Sequence, residues 1–154
     1  MQSILPFLTK ERVIDLKGQT KNDVLYEMAK IAVNEAIHED VEALYDELLD
    51  RERLMSTGIG IGIAVPHTRC PETETFTVAI GRSAEGVKYD SLDGQPVHLV
   101  ILIIAPGNDR REYLQLLAKV VMKLKDRAFF QKLMDAPTPA DIYDIIAADA
   151  ADNA

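Results

Sequence analysis

The sequence has no tryptophan, and cysteine occurs once, at Cys70, in a chain of 154 residues. A single cysteine cannot form an internal disulfide, and it supplies too few thiolates for a zinc or iron–sulfur site. We therefore expect a protein of a reducing compartment, the cytoplasm, whose fold depends on a hydrophobic core. With 47% hydrophobic residues, the chain can form that core as a single domain over residues 1–154.

Basic segments and long apolar runs are also missing. Acidic residues outnumber lysine and arginine by 25 to 17, which gives a formal net charge of −8. Such a chain lacks the basic patch that neutralises nucleic-acid phosphates, so we expect no nucleic-acid partner. The first ten residues show no signal-peptide pattern, and the longest strongly apolar run, residues 97–105, is far shorter than a bilayer span. We therefore expect no membrane insertion.

Apolar residues recur at helical spacing in several segments. The predicted helices cover residues 21–37, 41–54, 112–124, 126–133 and a last segment that begins at residue 139. Residues with capping side chains precede them, namely Thr20, Asp40, Asp109, Asp126 and Thr138. The core is expected over about residues 4–147, and the tail after Ala148 is expected to lack core residues and to fray.

Extended segments lie between these helices. Isoleucine or valine at alternate positions of residues 58–65 predicts one strand, which Pro66 ends. Residues 76–82 form a second extended stretch, and the apolar run of residues 97–104 is typical of a central strand covered on both faces. Strands interspersed with helices predict an α/β fold, a single-domain sandwich in which helices flank a mixed β-sheet.

The side chains that could take part in a reaction lie on either side of Pro66. His67 follows the proline at the predicted end of a strand, where the fixed φ of the proline makes a rigid position. A neutral imidazole offers one nitrogen lone pair as a nucleophile while its other nitrogen donates a hydrogen bond, which suits phosphoryl carriage. Arg51, Arg69 and Thr57 could place positive charge and donors around phosphoryl oxygens. This chemistry requires no metal and no cofactor.

These residues belong to a longer pattern, which reads DRE at residues 50–52, STG at 56–58 and GIAVPH at 62–67. The pattern resembles the phosphorylation-site signature of the mannitol/fructose-type (type 2) enzyme IIA family of the bacterial phosphotransferase system. The similarity extends over about residues 4–147 and includes the apolar strand and the helix that follows it. It implies the family's α/β fold.

The resemblance implies that His67 accepts a phosphoryl group from the histidine-phosphorylated carrier protein of that system, and that Arg51 helps to hold the group. Sugar-transport members pass the group to a cysteine of an enzyme IIB unit. In nitrogen-regulatory members, the phosphorylated and free forms bind different regulatory proteins. We predict a phosphocarrier of the nitrogen-regulatory kind. A sugar-specific component that feeds a separate enzyme IIB remains an alternative, as does a regulatory binding module with weak or no phosphotransfer.

One position departs from the family pattern. Many members carry a second active-site histidine near the start of the helix after the central strand, and Tyr113 occupies the matching position here. A tyrosine hydroxyl could donate a hydrogen bond to His67 or to a phosphoryl oxygen, but it stays neutral near neutral pH. Tyr113 also fits the apolar stripe of its helix, so a packing role is equally open.

Other reactive side chains fit ordinary structural roles better. His98 lies within the central strand, where we expect a neighbour to satisfy the ring, and His38 lies at a predicted helix end and is assigned no function. Cys70 lacks a third group that would orient a thiol–histidine site, so we interpret it as an incidental free thiol. The glycines of residues 58–62 precede a proline and lack the lysine of a nucleotide-binding loop.

Overall fold

The computed structural model describes residues 1, 3–34, 37, 40–107 and 110–152. After two short 3₁₀ turns near the N-terminus, the described ranges hold one strand, two helices, five strands and three helices, in that order. The helices are α1 (Lys21–Ala32), α2 (Val41–Leu54), α3 (Arg110–Lys125), α4 (Arg127–Asp135) and α5 (Pro139–Asp152). The strands are β1 (Val13–Asp15), β2 (Gly58–Gly60), β3 (Ile63–Ala64), β4 (His67–Cys70), β5 (Thr77–Val87) and β6 (Val97–Pro106).

All of these strands join one mixed sheet in the order β1-β5-β6-β3-β2, and β4 also pairs with β6. Strand β5 runs antiparallel to one edge of β6. On the other edge, β3 and β4 both run parallel to β6, one after the other along its length. The apolar run therefore forms the central strand, as predicted.

The central strand separates two hydrophobic clusters. Its buried residues Leu99, Ile101 and Ile103 pack into the cluster that also holds the buried faces of α3, α4 and α5. The alternate residues Val100, Leu102 and Ile104 pack against α1 and α2 on the opposite face. Side chains of a strand point to alternate faces, so a continuous apolar run can fill both cores. The predicted sandwich of helices around a mixed sheet is thus confirmed, and no described helix is long and apolar enough to cross a bilayer.

Helix α1 ends earlier than its apolar pattern predicts. The last helical residue is Ala32, and Val33 already has extended backbone angles. The side chain of Asn34 donates to the Ala32 carbonyl at 2.9 Å, which satisfies one of the free carbonyls at the helix end. The predicted extension to Ile37 is therefore wrong. The N-caps at Thr20, Asp40 and Asp126 are confirmed, and the predicted cap at Asp109 lies outside the described residues.

The single strand predicted over residues 58–65 is wrong, because the chain reverses in its middle. Gly60, Ile61 and Gly62 all have positive φ, and β2 then pairs antiparallel with β3. Positive φ is disfavoured for a β-branched residue such as Ile61, so this turn needs support from outside. Asp93 accepts a hydrogen bond from the Ile61 N–H at 3.0 Å, and Arg127 donates to the Ile61 carbonyl at 3.0 Å.

The C-terminal segment is more ordered than the sequence predicts. Helix α5 continues to Asp152, and Ala150 is buried. Asp149 accepts the N-terminal ammonium of Met1 at 2.5 Å and pairs with Lys123 at 2.7 Å. The expectation that residues beyond Ala148 lack core contacts is therefore wrong, because the helix is tied to α3 and to the start of the chain.

The two-sided core predicts a large cost for truncating the central strand. We expect Ile101→Ala to lower the free energy of unfolding by about 2–5 kcal/mol, because Ile101 is fully buried and its removal leaves a cavity. Urea unfolding followed by circular dichroism measures the change. Met122→Ala on exposed α3 surface is the control and should stay within about 0.5 kcal/mol of the parent protein. Equal losses in the two variants would contradict this account of the core.

Candidate functional site

His67 is the first residue of β4, at the point where the chain resumes pairing with β6. Its ring is half-buried, and its Nδ1 lies 2.8 Å from the carbonyl oxygen of Val65. A carbonyl oxygen can only accept, so Nδ1 carries the proton of the neutral ring. The lone pair of Nε2 is thereby left for reaction. The sequence predicted His67 at the end of a strand. That prediction is wrong, because His67 begins strand β4.

The backbone before His67 explains how the ring is held. Pro66 has no N–H for the sheet, but its carbonyl accepts the Ile103 N–H at 3.0 Å and keeps the chain beside β6. Val65 instead uses its N–H to bond the Thr57 carbonyl at 2.9 Å, and its own carbonyl meets the His67 ring. The interruption between β3 and β4 therefore supplies the acceptor that orients the imidazole.

Tyr113 of α3 lies beside this ring, with the two ring centroids 5.3 Å apart. The side chain is 8% exposed, and its hydroxyl has no hydrogen-bond partner among the described residues. Burial raises the pKa of Tyr113 to about 12, against the opposing positive charges of Arg51 and Arg110. Near neutral pH the group is therefore a neutral donor without an acceptor. Tyr113 thus lies next to His67.

Three arginines belong to the elements that carry or adjoin this pair. Arg51, near the end of α2, and Arg110, at the start of α3, both act electrostatically on the Tyr113 hydroxyl. Arg69 is exposed on β4, two residues after His67, so strand alternation places it on the same face. Within the described ranges, these guanidinium groups have neither hydrogen-bond nor ion-pair partners. Their positive charge suits an anion near the ring. Arg110 was not foreseen, because its proximity depends on the docking of α3.

Thr57 occupies a different place from the one predicted. Its hydroxyl donates to the buried carboxylate of Glu52 and lies 2.9 Å from the Tyr89 hydroxyl. That hydroxyl is therefore engaged within a buried polar cluster and is not a spare donor for a phosphoryl group. Thr57 serves His67 through its main chain, because its carbonyl holds Val65. The sequence shows Glu52 beside Arg51, but it does not reveal the burial of that carboxylate.

The remaining candidates have structural roles. The Nδ1 of His98 lies 2.9 Å from the Ser83 carbonyl, which confirms the prediction that a neighbour satisfies its ring. Cys70 is buried in the cluster under α1 and α2, on the face of β4 opposite His67, so it cannot share a site with the imidazole. His38 lies outside the described residues. Among those residues, no group of histidine, cysteine and acidic side chains could hold a metal ion.

Comparison with known sequences identifies the family of the chain. The profile of the family described as "Phosphoenolpyruvate-dependent sugar phosphotransferase system, EIIA 2" matches residues 6–149. The chain belongs to this family. Domains of the EIIA family carry phosphoryl groups and transfer them. The similarity noticed in the sequence is therefore confirmed over nearly the whole chain.

Relatives within the EIIA family have two kinds of name. The fructose-specific EIIABC component of Bacillus subtilis is 35% identical over 144 residues, which are 93% of this chain and 23% of that protein. A nitrogen regulatory protein of Bradyrhizobium diazoefficiens is 33% identical over 132 residues, 86% of each chain. The crystal structure of the nitrogen regulatory protein IIA-Ntr from Neisseria meningitidis has a TM-score of 0.85 at 29% identity and covers 92% of this chain and 97% of that chain.

The two buried tyrosines of this region predict opposite effects on stability. Tyr113→Phe should raise the free energy of unfolding by about 1 kcal/mol, because it removes a buried hydroxyl that has no partner. Tyr89→Phe is the matched substitution and should lower it by about 2 kcal/mol, because the Tyr89 hydroxyl donates to the Glu52 carboxylate at 3.1 Å. Thermal and urea unfolding measure both. Destabilisation by Tyr113→Phe as large as that by Tyr89→Phe would show that the Tyr113 hydroxyl has an acceptor in the folded protein.

Proposed function

We propose that this chain is a phosphocarrier, and that Nε2 of His67 accepts a phosphoryl group from the histidine-phosphorylated carrier protein of the phosphotransferase system. The observation that supports this most directly is the contact of His67 Nδ1 with the Val65 carbonyl, which leaves the Nε2 lone pair unshared. We further propose that residues 1–154 act as one enzyme IIA domain in the cytoplasm, where a reducing environment suits the buried thiol of Cys70, which forms no disulfide.

The transfer balances without a metal or an additional base. The Nε2 lone pair of His67 forms the new N–P bond while the N–P bond of the donor breaks, and the electron pair of the broken bond returns to the donor's imidazole nitrogen. The proton stays on His67 Nδ1 throughout, hydrogen-bonded to the Val65 carbonyl oxygen. The hydrogen bond thus fixes the tautomer before the reaction and supports the ring after it.

The arginines and Tyr113 would contact the oxygens of the transferred phosphoryl group. Arg51 and Arg110 supply positive charge near the Tyr113 hydroxyl, and charge of this sign stabilises the equatorial oxygens of a phosphoryl group in transit. The Tyr113 hydroxyl is buried without an acceptor beside the His67 ring, so a phosphoryl oxygen would satisfy it. Arg69, on the same face of β4, adds a further donor at the exposed side.

The second step passes the phosphoryl group on, or reports its presence. An enzyme IIB protein is one acceptor, and the name of the Bacillus subtilis relative joins A, B and C components in one protein. Regulatory proteins are the other partners, in accord with the relatives named nitrogen regulatory protein. The acceptance step is common to both outcomes. We favour the regulatory outcome because Tyr113 provides a neutral donor where many members have a second histidine.

The central expectation concerns the acceptor atom. Incubation with the phosphorylated carrier protein should give one base-stable, acid-labile phosphate on Nε2 of His67, which phosphorus and nitrogen NMR identify. His67→Ala should abolish the label. His98→Gln is the matched control and should retain it, because the His98 ring is bound to the Ser83 carbonyl away from the site. Absence of phosphate on the parent protein, under conditions that label a sugar-branch enzyme IIA, would rule out the carrier function.

The groups around the phosphoryl oxygens make separate contributions to the rate. Arg51→Ala should slow acceptance about 100-fold, the effect typical of losing one charge-stabilising donor, and Arg51→Lys should slow it less because the charge remains. Tyr113→Phe should slow acceptance about tenfold, since a hydrogen bond to a charged oxygen is lost. Rapid-quench measurement of labelled phosphohistidine gives these rates. Identical rates for the parent protein, Tyr113→Phe and Tyr113→His would exclude a role for the hydroxyl.

The rate at which phosphorylated His67 loses its phosphate to an enzyme IIB protein distinguishes sugar transport from regulation. The phosphorylated chain is mixed with an enzyme IIB protein, and loss of phosphate from His67 is followed over time. Transfer to IIB at the rate of a sugar-branch enzyme IIA would assign the chain to sugar transport. Retention of the phosphate would support the regulatory outcome that we favour.

A further inference from the structure

The buried carboxylate of Glu52 is not used in the transfer described above, although it adjoins Arg51 in α2. The residue is 8% exposed, and its carboxylate is surrounded by donors from three parts of the chain. It accepts the Thr57 N–H at 3.1 and 3.2 Å, the Thr57 hydroxyl, and the Tyr89 hydroxyl at 3.1 Å. Lys21 of α1 forms an ion pair with it at 2.9 Å.

A buried carboxylate is costly unless its oxygens are paired and hydrogen-bonded. Glu52 meets this condition through the donors named above, so its position is strongly determined by its neighbours. The charge also acts on the Tyr89 hydroxyl, and burial together with that charge raises the pKa of Tyr89 well above its ordinary value. The cluster of Glu52, Lys21, Thr57 and Tyr89 therefore fixes the end of α2 against α1 and the segment after β5.

From this cluster a continuous series of hydrogen bonds leads to the reactive ring. The Thr57 N–H is held by Glu52, and the Thr57 carbonyl accepts the Val65 N–H at 2.9 Å. The Val65 carbonyl in turn meets Nδ1 of His67 at 2.8 Å. Beyond the Glu52 carboxylate, each of these groups belongs to the main chain or to the ring itself. A displacement of Thr57 therefore moves the acceptor that sets the tautomer of His67.

We propose that Glu52 is a positioning residue, which holds the Val65 carbonyl against His67 Nδ1 through the main chain of Thr57. The inference rests on the proposed function of His67 for its consequence in catalysis. Without the acceptor, the neutral imidazole distributes its proton between Nδ1 and Nε2, and the molecules protonated at Nε2 have no lone pair there for the phosphoryl group. Glu52 thus acts on the fraction of molecules that are ready to react.

The test reads the tautomer of His67 directly. Long-range ¹H–¹⁵N correlation spectra are recorded on the unphosphorylated protein, at a pH where the ring is neutral. The parent protein should show the proton on Nδ1 alone. Glu52→Gln keeps the size of the side chain but removes its charge, and it leaves one acceptor oxygen for the Thr57 N–H, the Thr57 hydroxyl and the Tyr89 hydroxyl. Thr57 should therefore be held less firmly, and His67 should become a mixture of tautomers. Acceptance of phosphate should slow by about tenfold, as expected when a positioning contact is lost.

Two further variants separate positioning from stability. Asp46→Asn removes an exposed charge from the same helix and should change neither the tautomer nor the rate. Tyr89→Phe removes one donor from Glu52 and leaves its contact with Thr57, so the protein should lose stability while His67 keeps its proton on Nδ1. If Glu52→Gln does not fold, Glu52→Asp is used in its place. Its shorter side chain withdraws the carboxylate from Thr57, so the same mixture of His67 tautomers is expected.

The outcomes distinguish this inference from the proposed function. A folded Glu52→Gln variant whose His67 stays protonated on Nδ1 alone would overturn the positioning role, even if the parent protein accepts phosphate on His67. The positioning role would also be overturned if Tyr89→Phe showed the same mixture of tautomers as Glu52→Gln. The tautomer would then depend on the stability of the protein alone. If the parent protein accepts no phosphate, the carrier function fails, while the tautomer spectra still decide whether Glu52 orients the ring.

Discussion

The interruption between β3 and β4 is the constraint on which the site depends. In an unbroken strand, the N–H and the carbonyl of Val65 would be directed to neighbouring strands. Here the Val65 N–H still bonds to Thr57 beside β2, but the Val65 carbonyl, just before Pro66, meets the His67 ring. Buried main-chain groups need partners, so the break is stable only because both partners are in place. The same geometry that completes the backbone hydrogen bonds gives the imidazole a single tautomer.

The two faces of strand β4 have different surroundings. Thr68 and Cys70 of β4 point towards α2, where Thr68 bonds Glu47 and Cys70 is buried in the apolar core. His67 and Arg69 alternate with them on the other face, towards α3 and Tyr113. Strand β4 thus joins the packed core through Thr68 and Cys70 and presents His67 and Arg69 on the other side. A rigid scaffold under the ring would reduce the ordering that the proposed reaction with another protein requires.

The two buried tyrosines show how polar groups are treated in the core and at the site. The Tyr89 hydroxyl has two partners in the cluster around Glu52, as expected for a polar group in a folded interior. The Tyr113 hydroxyl has none among the described residues. An unpartnered buried donor lowers stability, and proteins retain such groups mainly where function needs them. The buried hydroxyl without a partner is therefore the one that lies beside His67, where an oxygen of the proposed phosphoryl group would reach it.

Local patterns in the sequence determined the sandwich, because a central strand buried on both faces and amphipathic helices with capping residues are encoded by short-range periodicity. The same holds for His67 and Arg51, which stand in a restrictive spacing around Pro66. Tertiary structure alone decided the turn at Ile61, where Asp93 and Arg127 support a backbone conformation that its alternation pattern opposes. It also decided that Thr57 acts through its main chain, and that Glu52 and Arg110 lie near the site. The contacts of Ile61 join residues distant in sequence. Burial by neighbouring elements, as at Glu52, leaves no trace in the spacing of a single segment.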